Sequence, residues 1–183
     1  IIDDETVGFR LTAAPNVEEF YADWGVPGIA VSYSEVLAGE LSAEELLDTV
    51  DYTEACTAGE RDTLPEGDLT GIYQVWEECG EAPTTAIVTS LSPSDGAEYL
   101  VLLEVYLLPD TDADAVDRIL TSLFISSPGS TTENEVSLLE LVDTSDLEYT
   151  YVEVQDPAIV ALIPEAYSDT DSAVWKNSDG DAL

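Results

Sequence analysis

With 183 residues, 45% of them hydrophobic, the chain has material for one core with extensions, which excludes disorder throughout. Its 40 acidic residues stand against four basic ones, Arg10, Arg61, Arg118 and Lys176, for a formal charge of -36. That set cannot neutralise a run of phosphates, so nucleic acid is excluded as a partner, and so are anionic membrane surfaces, which attract basic segments.

In chain order, the first expected element is a helix over VEEFYADWG, capped by Asn16 and ended by Gly25, with Val17, Phe20, Tyr21 and Trp24 at helical spacing. VPGIAVSYS then places Ile29, Val31 and Tyr33 on one face, as a strand does. Ser42 caps a short helix through AEELLDTVDY, whose Leu46, Leu47 and Val50 form its apolar stripe. Between Cys56 and Cys79 the chain is rich in turn formers, with Pro65 and Gly67 setting the turn, and buries little by itself. A disulfide there contributes about 3 kcal/mol by loop entropy and implies an oxidising compartment. The spacing is too long for a CxxC redox motif, and no His is present to complete a zinc site.

LTGIYQVWEEC reads as a strand with Ile72, Gln74, Trp76 and Glu78 on one face and Tyr73, Val75 and Glu77 on the other. TTAIVTSLS and AEYLVLLEVYLLP, joined by PSDG, predict an antiparallel hairpin at the centre of a sheet. TDADAVDRILTSLF predicts a helix capped by Thr111 or Asp112, with Val116, Ile119, Leu120 and Leu123 facing that sheet. SSPGSTTENE is linker composition, and VSLLELVD fits a short helix or a strand. LEYTYVEVQD alternates strictly, PAIVALIPEAYSD is a second strand closed by Pro164, and AVWKNSDGDAL reads as an exposed turn region.

The expected fold class is α+β, an antiparallel sheet packed by helices, with the C-terminal strands completing a sheet of their own chain or of a neighbour. The expected organisation is a main domain over 1–124, a linker over 125–146 and a terminal strand segment over 147–183. A lone hairpin is marginal in water, so the terminal strands must add to a sheet elsewhere. Tyr149, Tyr151, Val152, Val154, Ile159, Val160 and Leu162 are the expected assembly residues.

Several short motifs give the chain a family likeness. From Tyr149 to Leu183 the strand, the IP-x-x-Y-S-D turn and VWKNSDG resemble the beginning of the PsbP-like domains of secreted actinobacterial proteins. The motif that follows in that family stands here at the opposite end, as TAAPNVEEFYADWGVPG from Thr12 to Gly28. The family order then continues through C-T-x-G-x-R at Cys56 to Arg61, G-x-Y-x-x-W-x-x-C-G at Gly71 to Gly80, the hairpin and a closing helix ending ILTSLF. Tyr167 stands where the family usually has Trp. The resemblance implies a domain in circularly permuted order, with its first two strands at the C-terminus. Three arrangements are open: the tail completes the next copy, it folds back on its own domain, or the chain is a piece of a tandem array.

Catalysis is not expected. Without His there is no Ser-His-Asp arrangement, paired cysteines leave no thiol nucleophile, and no glycine-rich phosphate loop occurs. Among 40 acids, dyads such as Glu77/Glu78 or Asp110/Asp112 arise by chance. DTDAD and NSDGD lack the ligand pattern of a calcium loop, so no metal and no cofactor is expected, only diffuse cations. Trp24, Trp76, Trp175, Tyr21, Tyr73 and Tyr167 are read as core before binding face. With no start Met, signal peptide or run of eighteen apolar residues, the chain reads as mature or processed and soluble as a protomer, and the expected disulfide puts it outside the cell or on the cell surface. Its self-repulsion predicts a high-salt or cation-rich habitat, against an acidic secreted protein of an ordinary one. The function expected is a structural subunit of an extracellular filament or surface assembly, polymerising with other copies of itself by donating its C-terminal strands. The alternative is a secreted, non-catalytic binding or accessory module, monomeric with a self-complementing tail.

Overall fold

The computed structural model of the chain describes residues 6–64, 67–96, 98–109, 124–126, 149–155, 158–164, 167 and 169–176. Its strands are β1 (Thr6–Ala14), β2 (Gly28–Ser34), β3 (Thr57–Thr63), β4 (Leu69–Cys79), β5 (Thr84–Pro93), β6 (Leu100–Leu107), β7 (Phe124–Ser126), β8 (Tyr149–Gln155), β9 (Ala158–Pro164) and β10 (Asp169–Lys176). Three short helices accompany them, α1 (Val17–Ala22), α2 (Glu35–Ala38) and α3 (Ala43–Leu47). Seven strands form one antiparallel sheet in the order β10-β1-β2-β6-β5-β4-β3, and a second sheet runs β7-β9-β8. The coarse α+β expectation is met in this antiparallel sheet with its few short helices.

The middle strand is β6, and its sequence explains why. LVLLEVYL is an unbroken apolar run apart from Glu104, and a strand covered on both faces needs such a run: Leu100 through Tyr106 are all buried. β2 beside it is buried along its whole length. The β5–β6 turn passes through Gly96, whose φ of 85° is open to glycine and costly for other residues.

Helices cover one face of the sheet. Val17 and Phe20 of α1, Leu37 of α2 and Leu46 and Leu47 of α3 pack on Ala30, Val88, Leu102, Tyr106 and Trp76. Each helix starts at a side-chain cap. Asn16 accepts from the Glu19 N–H, Ser34 from Leu37, and Ser42 from Glu45, whose carboxylate returns to the Ser42 N–H. The caps of α1 and α3 are those the sequence predicts. The four-residue α2 escaped prediction because one turn is too short to display a period. The opposite face carries Ile29, Val31 and Tyr33 of β2 with Leu103 and Val105 of β6, and Ile163 of β9 and Tyr167 pack into that layer.

Where the cysteine segment was expected to be loop, half of it is strand. β3 pairs with β4, and only Gly59 along it is even half-buried, so no apolar alternation announced it. The Cys56–Cys79 disulfide closes the open end of this hairpin, with Cα atoms 4.2 Å apart. In β4, Glu78 takes a φ of 54° and the pairing with β5 shifts between Trp76 and Cys79. Cys79, fully buried, therefore follows Trp76 into the core in place of the expected Glu78, which is exposed.

The expected helix over 111–124 falls outside the described residues except for Phe124, which begins β7, and VSLLELVD lies wholly outside them. β8 and β9 form the antiparallel hairpin that their alternation predicts. The stretch read as an exposed turn begins differently: Ala173–Lys176 belong to β10, paired with β1.

Candidate functional site

The C-terminal strands meet the main sheet along one line. β10 runs antiparallel to β1 from Gly8 opposite Trp175 to Ala14 opposite Asp169. Asp169 adds a side-chain anchor, its Oδ2 accepting from the Val17 N–H at 2.9 Å. The start of α1 thus has two acceptors, Asn16 from its own segment and Asp169 from the end of the chain. Ile163, 1% exposed, and Tyr167, 3% exposed, complete the attachment as plugs in the apolar layer with Leu11, Ala13 and Val31.

The pairing scheme divides the strands into two sets. All neighbours of β2 to β6 lie between residues 6 and 107, and the pairings of β7, β8 and β9 are made among themselves. β10 pairs with β1 at the edge of the seven-stranded sheet, and among the described residues no strand pairing links that sheet to β7, β8 or β9.

The expected assembly residues come together in the smaller set. Tyr149 lies opposite Pro164, Tyr151 opposite Leu162, Val152 opposite Ala161 and Val154 opposite Ile159. Val160 lies between Glu153 and Phe124. They build β8 and β9, which do not pair with the seven-stranded sheet; β10, which the sequence does not announce, pairs into it, and Ile163 of β9 and Tyr167 pack on its apolar layer. The signal available for β10 was DTDSAVWK, whose Thr170, Val174 and Trp175 suit a strand.

A second feature lies beneath the helices. Glu104, 1% exposed, meets Arg10 across β2: Arg10 Nη2 is 2.6 Å from Glu104 Oε2. Register explains the reach. Arg10 pairs with Ser32 and Glu104 with Ala30, so two small side chains lie under the guanidinium as it crosses. Tyr52 donates to Glu104 Oε1 at 2.5 Å, and the Tyr106 hydroxyl reaches Tyr52 at 3.3 Å. Tyr21, its hydroxyl bonded to Thr12, lies with its ring centroid 5.6 Å from the Arg10 guanidinium. Trp24, Tyr52, Trp76, Tyr106 and Phe20 pack as a ring cluster around the node. Burial disfavours the Arg10 charge, but Glu104 and the tyrosines outweigh it and hold the guanidinium above its ordinary pKa. Burial, then Glu104 beside it, pushes the Tyr52 hydroxyl far above the usual tyrosine range, and Tyr106 is raised for the same reasons.

Of the expected core aromatics, Trp76 and Tyr167 are buried, Trp24 and Tyr73 half-buried and Tyr21 exposed, while the Trp175 side chain lies outside the described residues. DTDAD and NSDGD lie outside them too, and among the described residues no His, Cys, Asp and Glu cluster is arranged to hold a metal ion. No described helix is long and apolar enough to cross a membrane. No family model, no curated protein and no solved structure matches the chain significantly, so nothing in these comparisons identifies a PsbP-like domain.

Proposed function

We propose that the protein is a non-catalytic structural subunit that works outside the cytoplasm and assembles with copies of itself, its C-terminal strands being the donated part. One observation carries this reading: β10, from the far end of the chain, is added through a single strand pairing to the edge of a sheet that is otherwise built from residues 6–107. A sheet lacking β10 leaves the backbone groups of β1 open, and such an edge recruits a strand. The Cys56–Cys79 bridge supports an oxidising, extracellular setting. The permuted PsbP-like order is part of the same proposal, since it makes the terminal strands the missing start of a domain.

A second reading has its own observation. β10 pairs with β1 of the same chain, which favours a monomeric accessory or binding module with a self-complemented tail. Sedimentation and negative-stain microscopy over rising protein and salt concentration separate the two. Oligomers or filaments are expected. A species that stays monomeric throughout, with β10 amides protected from exchange, sinks the assembly reading and leaves the accessory module.

A further inference from the structure

We infer that the fold encloses a binding site for one small neutral hydrogen-bonding molecule, a water, between Arg10, Ser32 and Glu104, with the Tyr21 side chain as its cover. The site is independent of whether the protein assembles, since these residues belong to β1, β2, β6 and α1.

Three side-chain atoms carry the inference. Among the described residues, Arg10 Nε, Ser32 Oγ and Glu104 Oε2 are each sealed from solvent without a hydrogen-bond partner. A buried polar atom in that condition is costly, so native folds rarely leave one. These three stand together on the helix-covered face of the sheet. Arg10 and Ser32 are Cα partners across β1 and β2, which puts their Cβ atoms about 4.5–5.5 Å apart. Arg10 Nη2 lies 2.6 Å from Glu104 Oε2, a contact of charges without the alignment of a hydrogen bond. Nε is two C–N bonds of about 1.33 Å from that Nη2, so it stands within about 5 Å of Oε2, a gap that one bridging oxygen spans.

The three atoms are complementary to water. Nε–H only donates, a carboxylate oxygen only accepts, and a hydroxyl does either. One water accepts from Nε–H and from the Ser32 hydroxyl and donates to Oε2, the usual number of bonds for a buried water. Glu104 Oε1 is already taken by Tyr52. An ion of either sign would meet a like charge at once, at Arg10 or at Glu104. Tyr21 stands between this site and solvent: its ring centroid is 5.6 Å from the Arg10 guanidinium and its hydroxyl is bonded to Thr12, while the residue itself is 52% exposed. Exchange with bulk water therefore waits on movement of Tyr21.

A crystal structure of the full-length protein, at a resolution that shows ordered water, is expected to place a density peak about 2.7–3.2 Å from Arg10 Nε, Ser32 Oγ and Glu104 Oε2. Oxygen-17 relaxation dispersion then counts, in solution, the waters that stay longer than the protein tumbles. Ser32→Val, which puts a methyl in place of the hydroxyl and a second methyl beside it, is expected to lower that count by one water. Tyr21→Ala is expected to shorten the residence and keep the crystallographic peak. A dry site in the parent crystal, or Arg10 Nε bonded directly to Ser32 Oγ, overturns the inference, as does an unchanged count in Ser32→Val. An unchanged residence in Tyr21→Ala overturns the cover. Should Ser32→Val not fold, the parent crystal decides alone.

Discussion

Glu104 is the one charged residue in the apolar run of the central strand, and it is tolerable there because Arg10 reaches it over the small Ala30 and Ser32. Removing one member of such a pair leaves a buried charge without compensation, a loss of about 3–5 kcal/mol. Glu104→Ala is expected to lose stability on that scale in urea titration, while Arg10→Met combined with Glu104→Leu regains most of it. A single-variant loss below about 1 kcal/mol contradicts a buried pair. Tyr52 adds a pH response. Its hydroxyl ionises near 10.0 in the unfolded chain and is held protonated well above that in the fold, by burial and by Glu104. Its contribution is therefore whole below about pH 10 and declines as pH rises further, because only the unfolded state gives up the proton. The melting temperature of the parent is expected to fall more steeply above about pH 10 than that of Tyr52→Phe, with Tyr106 keeping part of the slope. Equal slopes would remove Tyr52 as the source.

Among elements, the β3–β4 hairpin depends most on a covalent link. β3 is an edge strand with almost no buried side chain, and Arg61 on it meets Asp48 at 2.7 Å in an exposed pair of small energetic weight. The disulfide is left to hold the hairpin's open end. Replacing both cysteines by serine is expected to cost about 3 kcal/mol, with β3 amides the first to lose protection from hydrogen exchange. An unchanged melting curve would show that the hairpin holds itself. This contrast also marks what a sequence can reveal. The caps at Asn16 and Ser42 and the β5–β6 hairpin were legible because their partners lie within a few residues. β3 was hidden since it has no buried face to alternate, and β10 because its partner β1 lies at the far end of the chain. The ionic node was half-visible: a lone Arg in VGFRLTAA and a lone Glu in LVLLEVYL each demand a counter-charge, but only strand order puts them two strands apart. The Glu78 phase shift had no signal at all, since nothing in QVWEECG forces a left-handed residue there.

At the scale of the whole molecule, charge governs the conditions of stability. A formal -36 on 183 residues repels itself in dilute buffer, and molar salt shortens the screening length to roughly 3 Å. The melting temperature is expected to climb with NaCl; a flat response would remove the high-salt habitat. The placement of the few basic residues has another outcome, in how the chain would meet a protease that cleaves after Arg or Lys. Such an enzyme has four bonds to attack along the chain. Arg10 is sealed under Tyr21 in the interior of a sheet. Arg61 lies inside the loop that Cys56 and Cys79 close, so a cut after it separates no fragment. The composition that keeps the molecule anionic thus also leaves few bonds to that specificity, and one bridge turns the cut after Arg61 into a nick that keeps both ends joined.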